Sequence, residues 1–360
     1  MKRQFLILTT LFLFGLLPGA AAIAQTVTNV APIFTCTDGK VTLTYDLDTA
    51  DPTDLVLYYS HNTVDWLLAK TVTGDLNAQS TGTGKTITWD CFADNVRLGK
   101  FYFKIEAPPP TCRVKSTLTE PPYNGWITFL CYNLGAIPDM TIKEQMAYVS
   151  NGDTDATVYG DLYQWGRVAD GHQLRTSPAV TGPLSGADLD DVTGQAVGAH
   201  VGKFVTNTDP ISYYDWRTPQ MYNLWYDNGK TANDPCPTGW RVPSSVEWQS
   251  IFDPHVGGLI YIPPAGRLMT GSGNYWKWNG NGWIVSPDGT ANGTVTLFLP
   301  AAGARTHNNG TLALADSECA YFCNDNTIPV FGFSLRSTIL TMMSNYARGT
   351  AFSVRCVAER

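Results

Sequence analysis

Charged residues are scarce in this chain, and those present do not form a basic surface. Only 15% of the residues are Asp, Glu, Lys or Arg, and the formal net charge is −7. Nucleic-acid binding normally depends on clustered Lys and Arg side chains that displace counterions from phosphates. The sequence therefore argues against a nucleic-acid partner. It also lacks a Gly-rich loop between a strand and a helix, the usual basis of nucleotide binding.

Metal-ligand spacings and a second long apolar run are missing as well. None of the eight cysteines forms a C-x-x-C pair and the five histidines are scattered, so no structural zinc site is indicated. Beyond the N-terminal apolar stretch, no run reaches the roughly 20 residues that a membrane-spanning helix needs. We therefore expect no membrane span in the mature chain.

The N-terminus has the composition of a secretory signal peptide. Lys2 and Arg3 precede an apolar stretch at residues 5–17, and residues 22–24 (AIA) fit the A-x-A cleavage pattern. We expect residues 1–24 to be removed, which takes the formal charge from −7 to −9 because Lys2 and Arg3 are the only charged residues of this segment. The mature protein is then exported to the extracellular space or the outer cell surface, with the periplasm as an alternative.

An even number of cysteines in an exported chain predicts disulfides. We expect Cys36–Cys91 to join two ends of an N-terminal domain. Pairing of Cys236 with Cys356 would tie the last predicted strand to the region before a helix. The cysteines expected to be oxidised are Cys36, Cys91, Cys112, Cys131, Cys236, Cys319, Cys323 and Cys356.

The remaining four cysteines fall into two candidate pairs. Cys112 and Cys131 flank two early predicted strands and could pair across them. Cys319 and Cys323 would lie about 13 Å apart on a straight strand, too far for a disulfide. They need a turn between them, or they are not partners.

Strand patterns recur at short intervals in residues 25–107. Apolar and polar residues alternate at 41–45 and at 101–105, and further strand-like runs lie at 54–60 and 86–90. Turn residues separate these runs, and no segment has a helical period. The pattern predicts an antiparallel β-sandwich.

A second domain, residues 112–360, follows a Pro-rich linker at 108–111. Loops dominate it, and we predict an α+β fold. Its clearest helix follows Pro243, with Ser244 or Ser245 as a candidate N-cap and Glu247 in the first turn, where a negative charge suits the helix dipole.

Other elements of this domain are shorter. Val246, Trp248 and Ile251 are the apolar positions of the predicted helix, and some of them should face inward. The runs 296–300 and 351–357 predict strands. A further short helix is compatible with the sequence around residues 219–226.

Five ordered segments of the second domain resemble one known family, the Fibrobacter succinogenes major paralogous domain. Each segment alone is a weak signal, but together they span about 230 residues. The segments are 126–136 (WITFLCYNLGA), 159–167 (YGDLYQWGR), 233–243 (NDPCPTGWRVP), 297–305 (LFLPAAGAR) and 351–357 (AFSVRCV).

This resemblance implies a C-type-lectin-like fold in exported bacterial proteins, distantly similar to formylglycine-generating enzymes. It implies a fold and a compartment more firmly than a function. The first domain, through residues 43–47, 85–90 and 102–106, resembles bacterial Ig-like or fibronectin-type-III-like modules, which usually act as spacers.

Aromatic residues in irregular segments are the first candidate site. Flat aromatic faces suit the apolar faces of sugars, and neighbouring Asn and Asp side chains suit sugar hydroxyls. The competing interpretation is that these rings form small cores that hold long loops in place. The candidate ligand-binding residues are Tyr275, Trp276, Trp278, Trp283, Tyr213, Tyr214 and Trp216.

Calcium is the second candidate. Asp153 and Asp155, with Asp161 nearby, offer oxygen ligands in a short loop, but the loop does not match the EF-hand pattern. Solvated acidic turns are the alternative. We expect no other cofactor.

Catalysis is the third candidate. Formylglycine-generating enzymes use a cysteine pair with copper, and Cys319 and Cys323 lie in a comparable region, but their three-residue gap departs from the four-residue gap of those enzymes. No other catalytic constellation stands out. We therefore expect a non-catalytic, surface-associated recognition or adhesion protein with a glycan or protein ligand. The rival hypotheses are an oxidase of that type and a structural surface protein without a ligand.

Overall fold

The computed structural model describes residues 26–35, 39–50, 52–63, 66–96, 99–226, 229–252, 259–325 and 330–359. The chain is mostly β, with several antiparallel sheets, as the sequence predicted. It divides into two compact units between Pro108 and Pro109. The predicted signal peptide lies outside the described residues. The longest described α-helix has six residues, far below the length of a membrane span.

The first unit builds one hydrophobic core from antiparallel sheets. Its described strands are β1 (Thr26–Thr35), β2 (Lys40–Asp48), β3 (Val56–Ser60), β4 (Leu67–Leu68), β5 (Val72–Gly74), β6 (Gly82–Asp90) and β7 (Tyr102–Glu106). They pair in the orders β1-β2-β6-β5 and β4-β3-β7. Val41 and Leu43 of β2, Leu57 of β3 and Trp89 of β6 are buried in the same cluster. Alternating apolar residues of both sheets thus meet in one core.

The second unit contains many short strands. Its helices are α1 (Ile142–Ala147) and α2 (Ser245–Ser250), with 3₁₀ turns at Gly186–Asp188 and Gly198–His200. Its strands are β8 (Thr111–Lys115), β9 (Trp126–Leu130), β10 (Tyr163–Gln164), β11 (Ala179–Thr181), β12 (Phe204–Thr206), β13 (Trp240–Arg241), β14 (Leu259–Tyr261), β15 (Arg267–Leu268), β16 (Tyr275–Trp278), β17 (Gly282–Ser286), β18 (Leu297–Pro300), β19 (Ala302–Arg305), β20 (Leu312–Ala315), β21 (Glu318–Phe322), β22 (Val330–Arg336), β23 (Ile339–Tyr346), β24 (Ala351–Phe352) and β25 (Val357–Ala358).

These strands form small sheets rather than one large sheet. In the described part of the unit the orders are β13-β25-β9-β8, β10-β24-β19-β20, β14-β23-β22-β21 and β15-β16-β17-β18, and β11 pairs with β12 in parallel. Aromatic side chains fill the space between them. Trp248, Trp276 and Trp283 lie in one buried cluster, and Trp165 and Trp225 lie in another.

Helix α2 begins where the sequence predicted. Ser244 is its N-cap: its side chain accepts from the Glu247 amide, and Glu247 in turn accepts from the Ser244 amide. This reciprocal capping satisfies donors that a helix start leaves unpaired. Trp248 and Ile251 are buried, whereas Val246 is 55% exposed.

The predicted strand at 351–357 is interrupted. β24 and β25 belong to different sheets. Between them, the buried guanidinium of Arg355 donates to the carbonyl oxygens of Leu130 (3.1 Å) and Phe298 (3.0 Å). These side-chain contacts and single backbone hydrogen bonds, such as the one from the Leu130 amide to the Cys356 carbonyl oxygen (2.9 Å), therefore replace a continuous ladder at this point.

The helix suggested around residues 219–226 does not form; the segment is irregular. Arg348 Nη1 donates to the carbonyl oxygen of Met221 (2.6 Å), and Thr231 Oγ1 donates to that of Leu224 (2.5 Å). Side chains from elsewhere in the unit thus satisfy carbonyls that a helix would satisfy internally.

Among the described cysteines, two pairs are bonded as the sequence suggested. Cys112–Cys131 joins β8 to the residue after β9, with Cα atoms 4.9 Å apart. Cys236–Cys356 joins the segment before β13 to the segment before β25, with Cα atoms 5.9 Å apart. The second bond ties the chain's last strand into the unit.

Cys319 and Cys323 are free thiols, against the expectation that all eight cysteines are oxidised. Cys319 lies within β21 and Cys323 directly follows it, so no turn brings the two sulfurs together. Along a strand, four residues span about 13 Å. Cys36 lies outside the described residues, so its pairing with the buried Cys91 stays a prediction.

Candidate functional site

A cleft lined by both polar and apolar side chains opens in the second unit where segments distant in sequence meet. Its volume of about 360 Å³ is lined by residues 146–150, which include the last two residues of α1, by residues 279–281 at the β16–β17 turn, and by Asp316. We call this the polar cleft. The acidic loop with Asp153 and Asp155 lies next to it in sequence, and the Asn-Gly-Asn-Gly sequence at residues 279–282 is typical of a hairpin turn.

The β16–β17 turn forms one wall of the cleft and is hydrogen-bonded to residues 146 and 148 of the other wall. Asn279 Nδ2 donates to the carbonyl oxygen of Met146 (3.0 Å), and Asn281 Nδ2 donates to that of Tyr148 (2.9 Å). Gly280 has a φ of +104°, which an L side chain rarely adopts, and this explains a glycine at the tip. Asn side chains and a permissive glycine therefore fix the shape of the cleft.

Asp316 supplies a carboxylate at the other side. It accepts from Ser150 Oγ at 3.0 and 3.2 Å and from the Tyr159 hydroxyl. Burial, together with the neighbouring carboxylate, raises the pKa of Tyr159, so this hydroxyl keeps its proton and acts as the donor. Asp316 has a φ of +61°, a region that Asp tolerates better than most residues.

The acidic loop beside the cleft is closed by its own backbone. Asp155 Oδ2 accepts from the Asn151 amide (2.9 Å) and from the Tyr148 hydroxyl (2.7 Å), and Oδ1 accepts from the Thr157 amide (2.9 Å). Partial burial acts to raise its pKa, but these hydrogen bonds lower the pKa of Asp155 to about 2. Asp155 thus connects the loop to Tyr148 of the cleft.

The predicted calcium ligands are not gathered at one point. Asp153 is exposed, while Asp161 is buried, and burial raises the pKa of Asp161 to about 6 against the opposing charge of Arg175. Arg175 also donates to the Asp153 carbonyl oxygen (2.9 Å). In the described ranges, His, Cys, Asp and Glu side chains do not group in threes that could hold a metal ion.

Half of the predicted aromatic site at 275–283 is core. Trp276 and Trp283 are fully buried, Trp276 stacks on Phe252 with ring centroids 4.3 Å apart, and Trp283 meets Trp278 edge-on at 5.7 Å. Burial contradicts a ligand-binding role for these two rings. Trp278 and Tyr275 are half-buried.

The second group of predicted aromatic residues, at positions 213–216, also differs in burial. Trp216 is fully buried and donates through Nε1 to the Trp165 carbonyl oxygen (2.8 Å), so it is core rather than a binding residue. Tyr214 is half-buried, with its ring 4.6 Å from that of His307. Tyr213 is 54% exposed. Of this group, Tyr213 therefore presents the most ring surface.

The cysteines considered for oxidase chemistry lie in the core. Cys319 and Cys323 are 0% and 1% exposed, and burial raises the pKa of both thiols. A thiolate is the reactive form of cysteine. This environment therefore suppresses reactivity.

The site residues predicted from the sequence include none of the residues that line the polar cleft, Ser150 and Asp316 among them. The turn at 279–282 did carry a signal, because Asn-Gly repeats mark hairpins. Asp316 carried none, since an isolated acidic residue between two strands resembles any solvated turn.

Comparison with known proteins agrees with the order of motifs in the second unit. The family model for the Fibrobacter succinogenes major domain matches residues 131–358, well over half of the chain. Neither a curated protein nor a solved structure shows significant similarity to this chain. The matched range contains α1, α2, every lining residue of the polar cleft and the Cys236–Cys356 bond. The chain belongs to the Fibrobacter succinogenes major domain family.

Proposed function

We propose that this chain is an exported, surface-associated recognition protein whose polar cleft binds the hydroxyl groups of a glycan. One observation carries the proposal: turns far apart in sequence bring amides, hydroxyls and a carboxylate around one open cleft. Such groups both donate to and accept from sugar hydroxyls. A polar protein segment is the alternative ligand.

We further infer a C-type-lectin-like fold for the second unit and an Ig-like or fibronectin-type-III-like sandwich, acting as a spacer, for the first. The first inference is supported by short helices among loop-linked sheets within a matched family range. The second is supported by antiparallel sheets that share one core.

Export is part of the proposal. The predicted signal peptide supports it, and so do the Cys112–Cys131 and Cys236–Cys356 bonds, because disulfides persist in oxidising compartments. Secretion of the full-length chain with loss of residues 1–24 is the expected result, read from the N-terminal sequence of the recovered protein.

Binding without catalysis is the mode that the site chemistry supports. The Asp316 carboxylate is held by Ser150 and Tyr159, and the thiols of Cys319 and Cys323 are buried with raised pKa values. These groups are fixed or shielded rather than poised for proton or electron transfer.

A glycan array tests the proposal. We expect the mature chain to bind a subset of immobilised glycans, and Asp316→Asn to weaken that binding by about tenfold to a hundredfold, because a hydrogen bond to a charged group contributes roughly 1.5–3 kcal/mol. Asn tolerates the backbone conformation at this position. Asp191→Asn, which removes an exposed charge outside the cleft, is the matched control.

Two results would contradict the proposal. Equal binding by Asp316→Asn and Asp191→Asn would remove the cleft from the function. A folded chain that binds no glycan on the array would favour a protein ligand or a purely structural role.

A further inference from the structure

A second surface of this unit displays side chains from the irregular segment at residues 221–226. The segment is fixed from beneath: Leu224 and Trp225 are 1% and 0% exposed. Trp225 Nε1 donates to the Asn233 carbonyl oxygen (2.9 Å), and the carbonyl oxygens of Met221 and Leu224 accept from Arg348 and Thr231. The backbone here is therefore held by buried contacts on its inner side.

The side chains on the outer side of the same segment are exposed at the surface. Tyr226 is 42% exposed, Tyr222 is 52% exposed, and Asn223 is exposed. Among the described residues, the Asn223 amide has no hydrogen-bond partner. A tyrosine ring and a free amide are thus presented on a pre-ordered backbone, which lowers the entropic cost of binding.

Tyr226 and Asn223 border an open groove of about 510 Å³. The other wall consists of residues 230–233. We call it the tyrosine groove. Asn233 Nδ2 donates to the Thr193 carbonyl oxygen (3.1 Å), which positions this amide, and its oxygen remains available as an acceptor.

The charge of the groove is already neutralised. Lys230 Nζ donates to Asp234 Oδ1 (3.0 Å) and to the carbonyl oxygens of Cys236 (2.5 Å) and Trp240 (3.0 Å). An ammonium group has three donor hydrogens, so these contacts use its capacity. The described lining of the groove therefore offers no free cation to an anionic ligand.

We propose that the tyrosine groove is a second binding site, specific for a neutral saccharide. The Tyr226 ring packs against the C–H face of a sugar ring, and the amide of Asn223 with the side-chain oxygens of Asn233 and Thr231 bonds its hydroxyls. An acidic polysaccharide would place carboxylates in a groove where Lys230, the cation among its described lining residues, is already engaged, which disfavours it. The site shares no residue with the polar cleft.

Affinity electrophoresis of the complete mature chain tests this site. The probes are gels containing a neutral β-glucan, a neutral xylan or a galactomannan, and a gel containing polygalacturonate. We expect retardation by at least one neutral polysaccharide, insensitive to added salt, and none by polygalacturonate. Tyr226→Ala and Asn223→Ala should each weaken the retardation about tenfold, while Tyr261→Ala, which removes a tyrosine that is 60% exposed, should not.

Different results would contradict the two proposed sites. Retardation that Asp316→Asn abolishes and Tyr226→Ala leaves unchanged would overturn the tyrosine groove and keep the polar cleft. Retardation lost only in Tyr226→Ala and Asn223→Ala would keep the groove alone. Absence of retardation by every neutral probe, or binding only to polygalacturonate, would also overturn the inference. Thermal melts of each variant identify any that fail to fold.

Discussion

Trp283 shows why residue-level exposure is hard to predict in this chain. It follows the Asn-Gly-Asn-Gly sequence at residues 279–282, and this pattern does not decide on which face of the next strand its side chain lies. The structure places it in the main core with Trp276 and Trp278. Alternation fixes which residues share a face of a strand, but not which face a small sheet turns toward its neighbours.

Trp283→Ala is therefore expected to destabilise the fold rather than to remove a ligand contact. Truncation of a buried aromatic side chain costs about 3–5 kcal/mol. Urea denaturation followed by tryptophan fluorescence measures the loss, with the exposed Tyr261→Ala as control. A loss of unfolding free energy below about 1 kcal/mol would show that neighbouring side chains collapse into the cavity and fill it.

His172 is a buried titratable group whose protonation is fixed by geometry. Its Nε2 accepts from the Gln164 amide (3.2 Å), and its Nδ1 lies 2.6 Å from Asp170 Oδ1. Only a neutral ring can accept at Nε2 and donate at Nδ1. Burial, helped by the nearby charge of Arg167 and opposed by Asp170, lowers the pKa of His172 to about 3.

Stability should consequently depend on this histidine at acidic pH. The unfolded state binds the proton from a pKa of 6.5 downward and the folded state only near 3, so stability is lost as pH falls through this window. Protonation of His172 in the unfolded state should lower the free energy of unfolding by roughly 3 kcal/mol as the pH falls from 6.5 to about 4. Urea titrations across this range should give a shallower pH dependence for His172→Gln than for wild type.

The control for that comparison is His61→Gln, which removes an exposed imidazole outside the core. Buried acids such as Asp161 titrate in the same range with the opposite sign, so the difference between variant and wild type is the informative quantity. Parallel slopes for His172→Gln and wild type would show that another group carries the acid sensitivity.

At the level of elements, prediction succeeded where one local rule was sufficient. Alternation located β2 and β7, and the Ser244–Glu247 pattern located the start of α2. It failed where distant side chains decide the backbone, as in the irregular segment at 221–226, whose carbonyls bind Arg348 and Thr231. The polar cleft has the same origin, since Asp316 and Ser150 meet across 166 positions of sequence.

Removal of the two disulfides should have unequal effects. The Cys236–Cys356 bond spans 120 residues and the Cys112–Cys131 bond spans 19. In the chain-entropy model the longer loop adds roughly 1.6 kcal/mol to the stabilisation. Urea denaturation of Cys236→Ser/Cys356→Ser should therefore show the larger loss than Cys112→Ser/Cys131→Ser. Equal losses would indicate that residual structure in the unfolded state dominates.

For the whole molecule, the division at Pro108 and Pro109 separates units with their own cores. We expect a fragment of residues 26–108 to fold alone, because its sheets and hydrophobic cluster are self-contained. Circular dichroism should show β structure and one cooperative melt. An aggregated or non-cooperative fragment would show that the unit needs the rest of the chain.

Alkylation of the free thiols of Cys319 and Cys323 can be used to measure transient opening of the second unit. Since both are shielded by the core, an alkylating reagent reaches them only when β21 is transiently exposed. The rate of modification, read by peptide mass, then measures how often the core opens rather than how reactive the sulfur is. Ligand binding to the unit should slow that rate, which offers a screen for ligands that needs no label and no knowledge of their identity.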